Sequence, residues 1–258
     1  MYIKDIRIKW EDIGERSYIR GIPAIASIDE LSFDKPVTFF SGENGSGKST
    51  LLEAIAIAYG FNPEGGTKNY TFSTYDSHSE LCDAVRLSRG YLRPQKAYFL
   101  RAESFYNVAT KEEEYSKSGG GDRYIPKEFH KKSHGESFME VVHSYFGPNG
   151  IYILDEPEAA LSPQRQLTLL YEINRCVKEG SQFIIVTHSP IILGFPDADI
   201  LCFDDGVLHK IAYEETDSYK VTEMMINDRG QVLSKLFDSV DDLSEIRRRY
   251  GKQSAKNS

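Results

Sequence analysis

The sequence predicts an α/β fold with a mostly parallel central sheet, and three observations carry that expectation. Val37-Thr38-Phe39-Phe40, Ile151-Tyr152-Ile153-Leu154 and Phe183-Ile184-Ile185-Val186 are short apolar runs without alternation, the pattern of strands buried on both faces. Strand and helix alternate after residue 37, as crossover connections between parallel strands require. The first run leads into a glycine-rich loop and then a helical stretch, the order in which a strand delivers a loop to the start of a helix.

The elements follow in sequence. Ile6, Ile8 and Trp10 alternate with Arg7 and Lys9, which predicts a half-buried edge strand. With a second strand over residues 25–31 it forms an N-terminal β portion. Residues 51–59 form a helix that Gly60 stops. Residues 62–79 are polar and rich in Gly, Thr, Ser and Tyr, so a long loop is expected. A short helix over 81–89 and a strand over 97–102 come next. Residues 111–132 hold an acidic run, consecutive glycines and scattered lysines, a composition expected to be mobile without ligand. A helix over 137–146 places Phe138, Val141, Val142 and Tyr145 on one face, and Leu167, Leu170, Ile173 and Val177 mark a face of another. Residues 200–203 and 207–212 flank Asp205-Gly206, a hairpin turn. From Arg247 onward the chain is basic and polar and is expected to fray.

Length and composition bound the rest. The chain has 258 residues, of which 40% are hydrophobic, enough for one large α/β domain or two small ones. No apolar run reaches the length needed to cross a bilayer, and Met1-Tyr2-Ile3-Lys4-Asp5 contains no apolar signal core. Cys82, Cys176 and Cys202 lack metal-site spacing and fit apolar core positions in a reducing compartment. A cytoplasmic protein is expected. A net charge of −8 does not favour nucleic acid in bulk, although Lys127, Lys131, Lys132 and Arg247-Arg248-Arg249 form local basic clusters.

The chemistry begins at residues 42–50, Gly-Glu-Asn-Gly-Ser-Gly-Lys-Ser-Thr, a full G-x-x-x-x-G-K-[ST] phosphate loop. Gly42, Gly45 and Gly47 let successive backbone N–H groups converge on phosphate oxygens. Lys48 reaches the outer phosphates, Ser49 is suited to ligate Mg²⁺, and Asn44, Ser46 and Thr50 complete the set. The following helix turns its positive end toward the anion. The run 151–154 ends in Asp155-Glu156-Pro157. A strand end puts Asp155 at the ligand-binding edge of an open sheet, ready to hold Mg²⁺ through water, and places Glu156 to orient or deprotonate an attacking water. Ser133-His134-Gly135-Glu136-Ser137 contains an S-x-x-E capping box that starts a helix, and Gly135 permits close backbone approach to an anion. The strand over 97–102 delivers Glu103 to the same edge, where a carboxylate suits Mg²⁺ or its water. Arg101 before it is placed to pair with phosphate or with Glu103. Trp10, Tyr18 and Tyr59 are candidates for base stacking and equally for the core.

Asp155-Glu156-Pro157-Glu158-Ala159-Ala160-Leu161-Ser162 resembles the Walker B and D-loop region of ABC-type ATPases, and Val186-Thr187-His188-Ser189-Pro190 is similar to their switch-histidine strand end. The phosphate loop and Ser-His-Gly-Glu-Ser-Phe look like the soluble SMC/RecF-like branch and its small AAA-family ATPases, rather than transporter subunits with Leu-Ser-Gly-Gly-Gln. The stretch from Lys48 to Ser133 is too short for the long coiled coil of SMC proteins. The resemblance implies an ABC-ATPase-like P-loop NTPase domain over 1–258. Its nucleotide-binding core is 37–212, an insertion over 62–146 carries the signature segment, and 213–258 forms a helical tail. It further implies ATP and Mg²⁺ as ligands, His188 bonding the γ-phosphate, and Ser133, Gly135 and Glu136 contacting ATP held by a second copy. Two chains then sandwich two ATP molecules and separate on hydrolysis. By family analogy the role is the motor or switch of a DNA-maintenance or anti-phage defence system, with an effector protein or nucleic acid as further partner and no membrane. The alternatives are a transporter's energy-coupling subunit, disfavoured by the signature and by Glu103 in place of a Gln, and an ATP-dependent regulator of an effector such as a nuclease.

Overall fold

The computed structural model describes residues 1–68, 79–101 and 134–238. The chain divides into two units, Met1–Thr216 and Asp217–Ser258. In the first, a six-stranded sheet has the order β5-β6-β7-β3-β8-β9. It comprises β3 (Val37–Ser41), β5 (Lys96–Arg101), β6 (Gly150–Asp155), β7 (Gln182–Val186), β8 (Asp199–Cys202) and β9 (His209–Ile211). All neighbours are parallel except β8 and β9, joined by the expected hairpin. Asp205 (φ 63°) and Gly206 (φ 78°) form its turn, the positive pair of a type I′ turn.

Every residue of β3, β6 and β7 is buried, and side-chain alternation assigns each to one of two cores. On one face Phe40, Ile151, Ile153, Ile184 and Val186 pack with Leu51, Leu52 and Ile55 of α2 (Lys48–Tyr59). On the other, Phe39, Tyr152, Leu154 and Ile185 pack with Phe138 and Val142 of the helix His134–Tyr145 and with Leu169 and Ile173 of the helix Pro163–Lys178. Each large apolar side chain so buried contributes about 1.5–3 kcal/mol. Gly60 ends α2 at φ 104°, its N–H donating to Ala56 and Ile57. The three cysteines are buried free thiols, and burial pushes Cys82 and Cys176 up to about 11.

A second, antiparallel sheet has the order β2-β1-β4, from β1 (Ile3–Ile8), β2 (Glu30–Ser32) and β4 (Val85–Arg89). Here the sequence expectations need correction. β1 is the central strand, not an edge, because alternation looks the same in any half-buried strand. Trp10 lies beyond it in a 3-10 turn, its indole N–H donating to the Ile28 carbonyl at 3.1 Å. The strand expected over 25–31 shrinks to β2, because Pro23 starts a short helix, α1 (Pro23–Ala26). The helix expected over 81–89 stops at Ala84: α3 (Glu80–Ala84) leads into β4. Pairing of Val85–Arg89 with β1 overrides its helical spacing.

The helix His134–Tyr145 is α4, as expected from its apolar face, and Pro163–Lys178 is α5. The buried stripe of α5 is Gln166, Leu169, Glu172, Ile173 and Cys176, whereas Leu167 is 57% exposed. The stripe was masked by its polar members. The Gln166 amide donates to the Leu161 carbonyl at 3.2 Å, and Glu172 accepts from Arg175 at 2.7 and 2.9 Å. Ser189 caps α6 (Pro190–Leu193), accepting from the N–H groups of Ile191 and Ile192. The second unit carries α7 (Asp217–Asn227) and α8 (Arg229–Asp238). No helix among the described residues is long and apolar enough to cross a membrane. Most of the 62–79 loop, the whole 111–132 segment and the basic run after Arg247 lie outside the described residues.

Gln182 fastens the small sheet to the large one. Its Oε1 accepts from the N–H groups of Tyr2 (2.7 Å) and Ile3 (3.0 Å), and its amide donates to the Ile3 carbonyl (2.8 Å). Gln182→Leu keeps the volume but strands these buried groups. It should lower unfolding free energy by about 2–4 kcal/mol in urea denaturation; an unchanged midpoint would refute the clamp.

Candidate functional site

The carboxyl ends of β3, β6 and β7 meet at one edge of the sheet, and the motif residues sit there. The loop 42–47 leaves β3 and enters α2. Two of its glycines are sterically required. A Cβ on Gly42 (φ 142°) would lie 2.9 Å from Asp204 Oδ1, and one on Gly47 (φ 99°) would lie 2.7 Å from Ile22 Cγ2. Asp204 also accepts the Glu43 N–H at 2.8 Å, holding the loop from β8's side. Sequence reasoning missed Asp204, although it follows an apolar strand just as Asp155 does. Asn44 and Gly45 are exposed at the loop's crest, and Ser46 and Thr50 are half-buried.

Lys48 is buried and donates to the carbonyls of Gly42 (2.7 Å) and Glu43 (2.6 Å), with Ser46 Oγ at 3.4 Å. Burial holds its pKa below the usual lysine value, opposed by Asp204, Glu156, Asp155 and Glu43. Ser49 Oγ donates to Asp155 Oδ1 at 2.9 Å. The hydroxyl of the loop and the carboxylate of the β6 end are thus joined across β7. Arg101 closes the other side: its guanidinium is 3.0 Å from Glu53 Oε2 on α2 and 3.8 Å from Asp155 Oδ2. Its partners are therefore Glu53 and Asp155, which the sequence did not single out for it.

Glu156 adopts a left-handed conformation (φ 49°), uncommon for a non-glycine residue. Its N–H donates to the Val186 carbonyl at 3.0 Å, so the bend is fixed by the sheet. Its Oε1 lies 3.8 Å from His188 Nε2. That nitrogen is buried with no hydrogen-bond partner among the described residues. Glu158, a second residue the sequence did not flag, accepts the His188 N–H at 2.6 Å and pins the histidine backbone.

The signature segment is described from His134. Gly135 is buried at the start of α4, where a Cβ would lie 3.0 Å from the Ala160 carbonyl and closer still to the Arg165 side chain. Glu136 pairs with Arg165 at 3.5 Å. These contacts tie the segment to the stretch after Asp155-Glu156. Ser133 and Glu103 lie outside the described residues. Tyr59 ends α2 about 17 Å along its axis from Lys48, which removes it as a base-stacking candidate.

The residues present fit a magnesium–triphosphate ligand. The first-turn N–H groups of α2 have no intrahelical acceptor, Lys48 sits among them, and the orphaned His188 Nε2 is a buried polar atom at the same edge. Among the described residues no group of three or more His, Cys, Asp or Glu forms a metal cage.

Gly47→Ala should lower stability by about 1–3 kcal/mol, through both the strained φ and the Ile22 contact. It should also weaken ATP binding at least tenfold, read by denaturation and nucleotide titration; full retention of both would refute the tight loop.

The chain is similar over part of its length to several known proteins. A protein-family model described as "AAA domain" matches residues 18–142, and one described as "AAA domain, putative AbiEii toxin, Type IV TA system" matches residues 137–194. The xylose import ATP-binding protein XylG of Moorella thermoacetica is 23% identical over 86% of this chain and 47% of its own length. The chain thus spans about half the length of that curated relative. The energy-coupling factor transporter ATP-binding protein EcfA of Methanosphaera stadtmanae is 27% identical over 87% of this chain and 86% of its own. Among solved structures, the SMC head domain from Thermotoga maritima is similar at a TM-score of 0.43 and 17% identity, covering 82% of this chain and 98% of that one. The phosphate loop lies within the first family match and the Asp155-Glu156 strand end within the second, so both motif regions of this chain are similar to AAA-domain sequences.

Proposed function

We propose that this chain hydrolyses ATP to ADP and phosphate at the sheet edge, and that ATP clamps two copies head to tail. The observation that supports the reading most directly is the 2.9 Å bond between Ser49 and Asp155, with Glu156 and His188 beside it. Ser49 and Asp155 would hold Mg²⁺, which when bound would supply charge neutralisation to the phosphates. Lys48 exchanges the Gly42 and Glu43 carbonyls for phosphate oxygens. Glu156 accepts the proton of the attacking water. His188 Nε2, buried and 3.8 Å from Glu156, donates to the γ-phosphate and orients that carboxylate. Each copy offers the start of α4, with Gly135 and Glu136, to the nucleotide of the other. Closure of this joint is the switch that a partner senses.

The role read for the switch is DNA maintenance or anti-phage defence. The family description naming a toxin and a type IV TA system supports the defence side. A second reading, the energy-coupling subunit of a transporter, is favoured by the relatives' names, one an import and one a transporter ATP-binding protein. Co-purification with a membrane permease would select it; ATP-dependent capture of a soluble effector would select the first.

Glu156→Gln should bind ATP yet lose about 10²–10⁴-fold in hydrolysis, and should elute as a dimer with ATP and Mg²⁺ in size-exclusion chromatography. A persistent monomer would overturn the clamp. Lys48→Ala should bring phosphate release to background, because no other described cation contacts the loop carbonyls; undiminished turnover would move the active site elsewhere.

A further inference from the structure

At the opposite, amino-terminal edge of the sheet lies a cleft of about 890 Å³, within the size range of small-molecule sites. The ATPase reading makes no use of it. Lys68, Arg89, Arg93 and Lys96 line it, and none of its lining residues among those described is Asp or Glu. This contrasts with a chain of net charge −8. Among the described residues, Lys68, Arg89 and Lys96 are positioned without carboxylates. Arg89 donates to the Ala58 carbonyl at 3.0 Å, Lys96 to the Phe146 carbonyl at 3.1 Å, and Lys68 sits 3.6 Å from the Tyr59 ring centroid. Burial, reinforced by Arg89, pulls the Lys68 pKa down to about 8, so a bound anion would relieve a real electrostatic cost. Thr67 Oγ1, also on the wall, is buried with no hydrogen-bond partner among the described residues.

Aromatic groups complete the wall. Tyr91 is 90% exposed at the rim, and Tyr145 lines the same space with its ring tilted 32° against Tyr98, centroids 4.7 Å apart. Cations alone would suit bare phosphate; exposed rings beside them suit phosphate joined to a planar base, since stacking on such rings is sequence-tolerant. We propose that this cleft binds a nucleoside phosphate, as a free nucleotide or as a unit of single-stranded nucleic acid, through Lys68, Arg89, Arg93 and Lys96 on phosphate and Tyr91 on the base.

The cleft is separate from the phosphate loop. β5 runs from Lys96 on the cleft wall to Arg101 beside Asp155, about 16 Å away at strand rise. The proposal therefore stands whether or not the ATPase reading holds.

The test measures fluorescence anisotropy of labelled AMP and of a labelled oligothymidylate of about ten nucleotides. It uses Lys48→Ala protein, which removes the phosphate loop as a competing site. Saturable binding is expected, with log affinity falling against log salt at a slope of about −2 to −3 for the oligonucleotide. Arg89→Glu with Arg93→Glu should weaken binding at least tenfold. Tyr91→Ala should weaken it about five- to tenfold while leaving thermal melting and, in the otherwise unaltered chain, ATP hydrolysis unchanged. If Arg89→Glu unfolds the protein, Arg93→Glu and Tyr91→Ala, both at exposed positions, still decide. Binding of AMP alone assigns a free nucleotide, and binding of the oligonucleotide alone assigns nucleic acid. Binding of neither probe, or equal affinity in all variants, overturns the proposal. The readout is binding rather than turnover, so loss of ATP hydrolysis would not be mistaken for failure of the cleft.

Discussion

The parallel register of β6, β7 and β3 is the constraint on which the site depends. Val186 stands opposite Asp155 on one side and Phe40 on the other. The next residue out on β6, Glu156, donates its N–H to the Val186 carbonyl, and Thr187 donates to the Phe40 carbonyl. Three strands therefore end within one residue of each other, and these ends position the phosphate loop, Asp155-Glu156 and His188. A one-residue slip of β6 would turn Asp155 to the opposite face and break its bond to Ser49. Burial makes such a slip costly, because it would exchange the side chains of two separate cores: Ile151 and Ile153 on one face, Tyr152 and Leu154 on the other.

The parts legible in the sequence were those whose signal is local. Residues 42–50 announce their geometry because the glycines and Lys48 act within one loop. The strands 37–40, 151–154 and 183–186 announce theirs because burial on both faces removes polar residues. The hairpin at Asp205-Gly206 was legible for the same reason. What was not legible depends on distant partners. Val85–Arg89 alternates apolar and polar residues but follows a helical turn without a break, and only β1 across the gap makes it a strand. The buried face of α5 includes Gln166 and Glu172, whose burial is tolerable only because Leu161 and Arg175 satisfy them. Arg101 read as a partner of phosphate or of Glu103, and its pairing with Glu53 requires knowing that β5 ends beside α2.

Asp204 and Glu158 share one lesson. Both act on backbone: Asp204 accepts the Glu43 N–H and Glu158 accepts the His188 N–H. A carboxylate that holds an amide in place carries no motif, because any strand-end acid at the right depth serves. Their effect is nonetheless on function, since one fixes the crest of the phosphate loop and the other fixes the histidine. A site can thus be complete in its motif residues and still depend on side chains outside them for geometry.

The charges of the site explain why a magnesium complex, rather than bare triphosphate, fits it. Asp204, Glu156, Asp155 and Glu43 all act on Lys48, and Arg101 is already paired with Glu53 and Asp155. Side chains alone therefore give this edge little excess positive charge. Attraction for phosphate has to come from backbone N–H groups at the start of α2 and from the helix dipole, which are fixed and carry no counter-charge. Those groups serve the phosphate oxygens nearest the loop. The oxygens near Asp155 and Glu156 face carboxylates, and only a divalent cation between them converts repulsion into attraction. On the proposed function that cation would sit at Ser49 and Asp155, whose hydroxyl and carboxylate are hard oxygen ligands 2.9 Å apart. The same carboxylates that make the site unfavourable to a bare anion would, on that function, favour the metal-bound form.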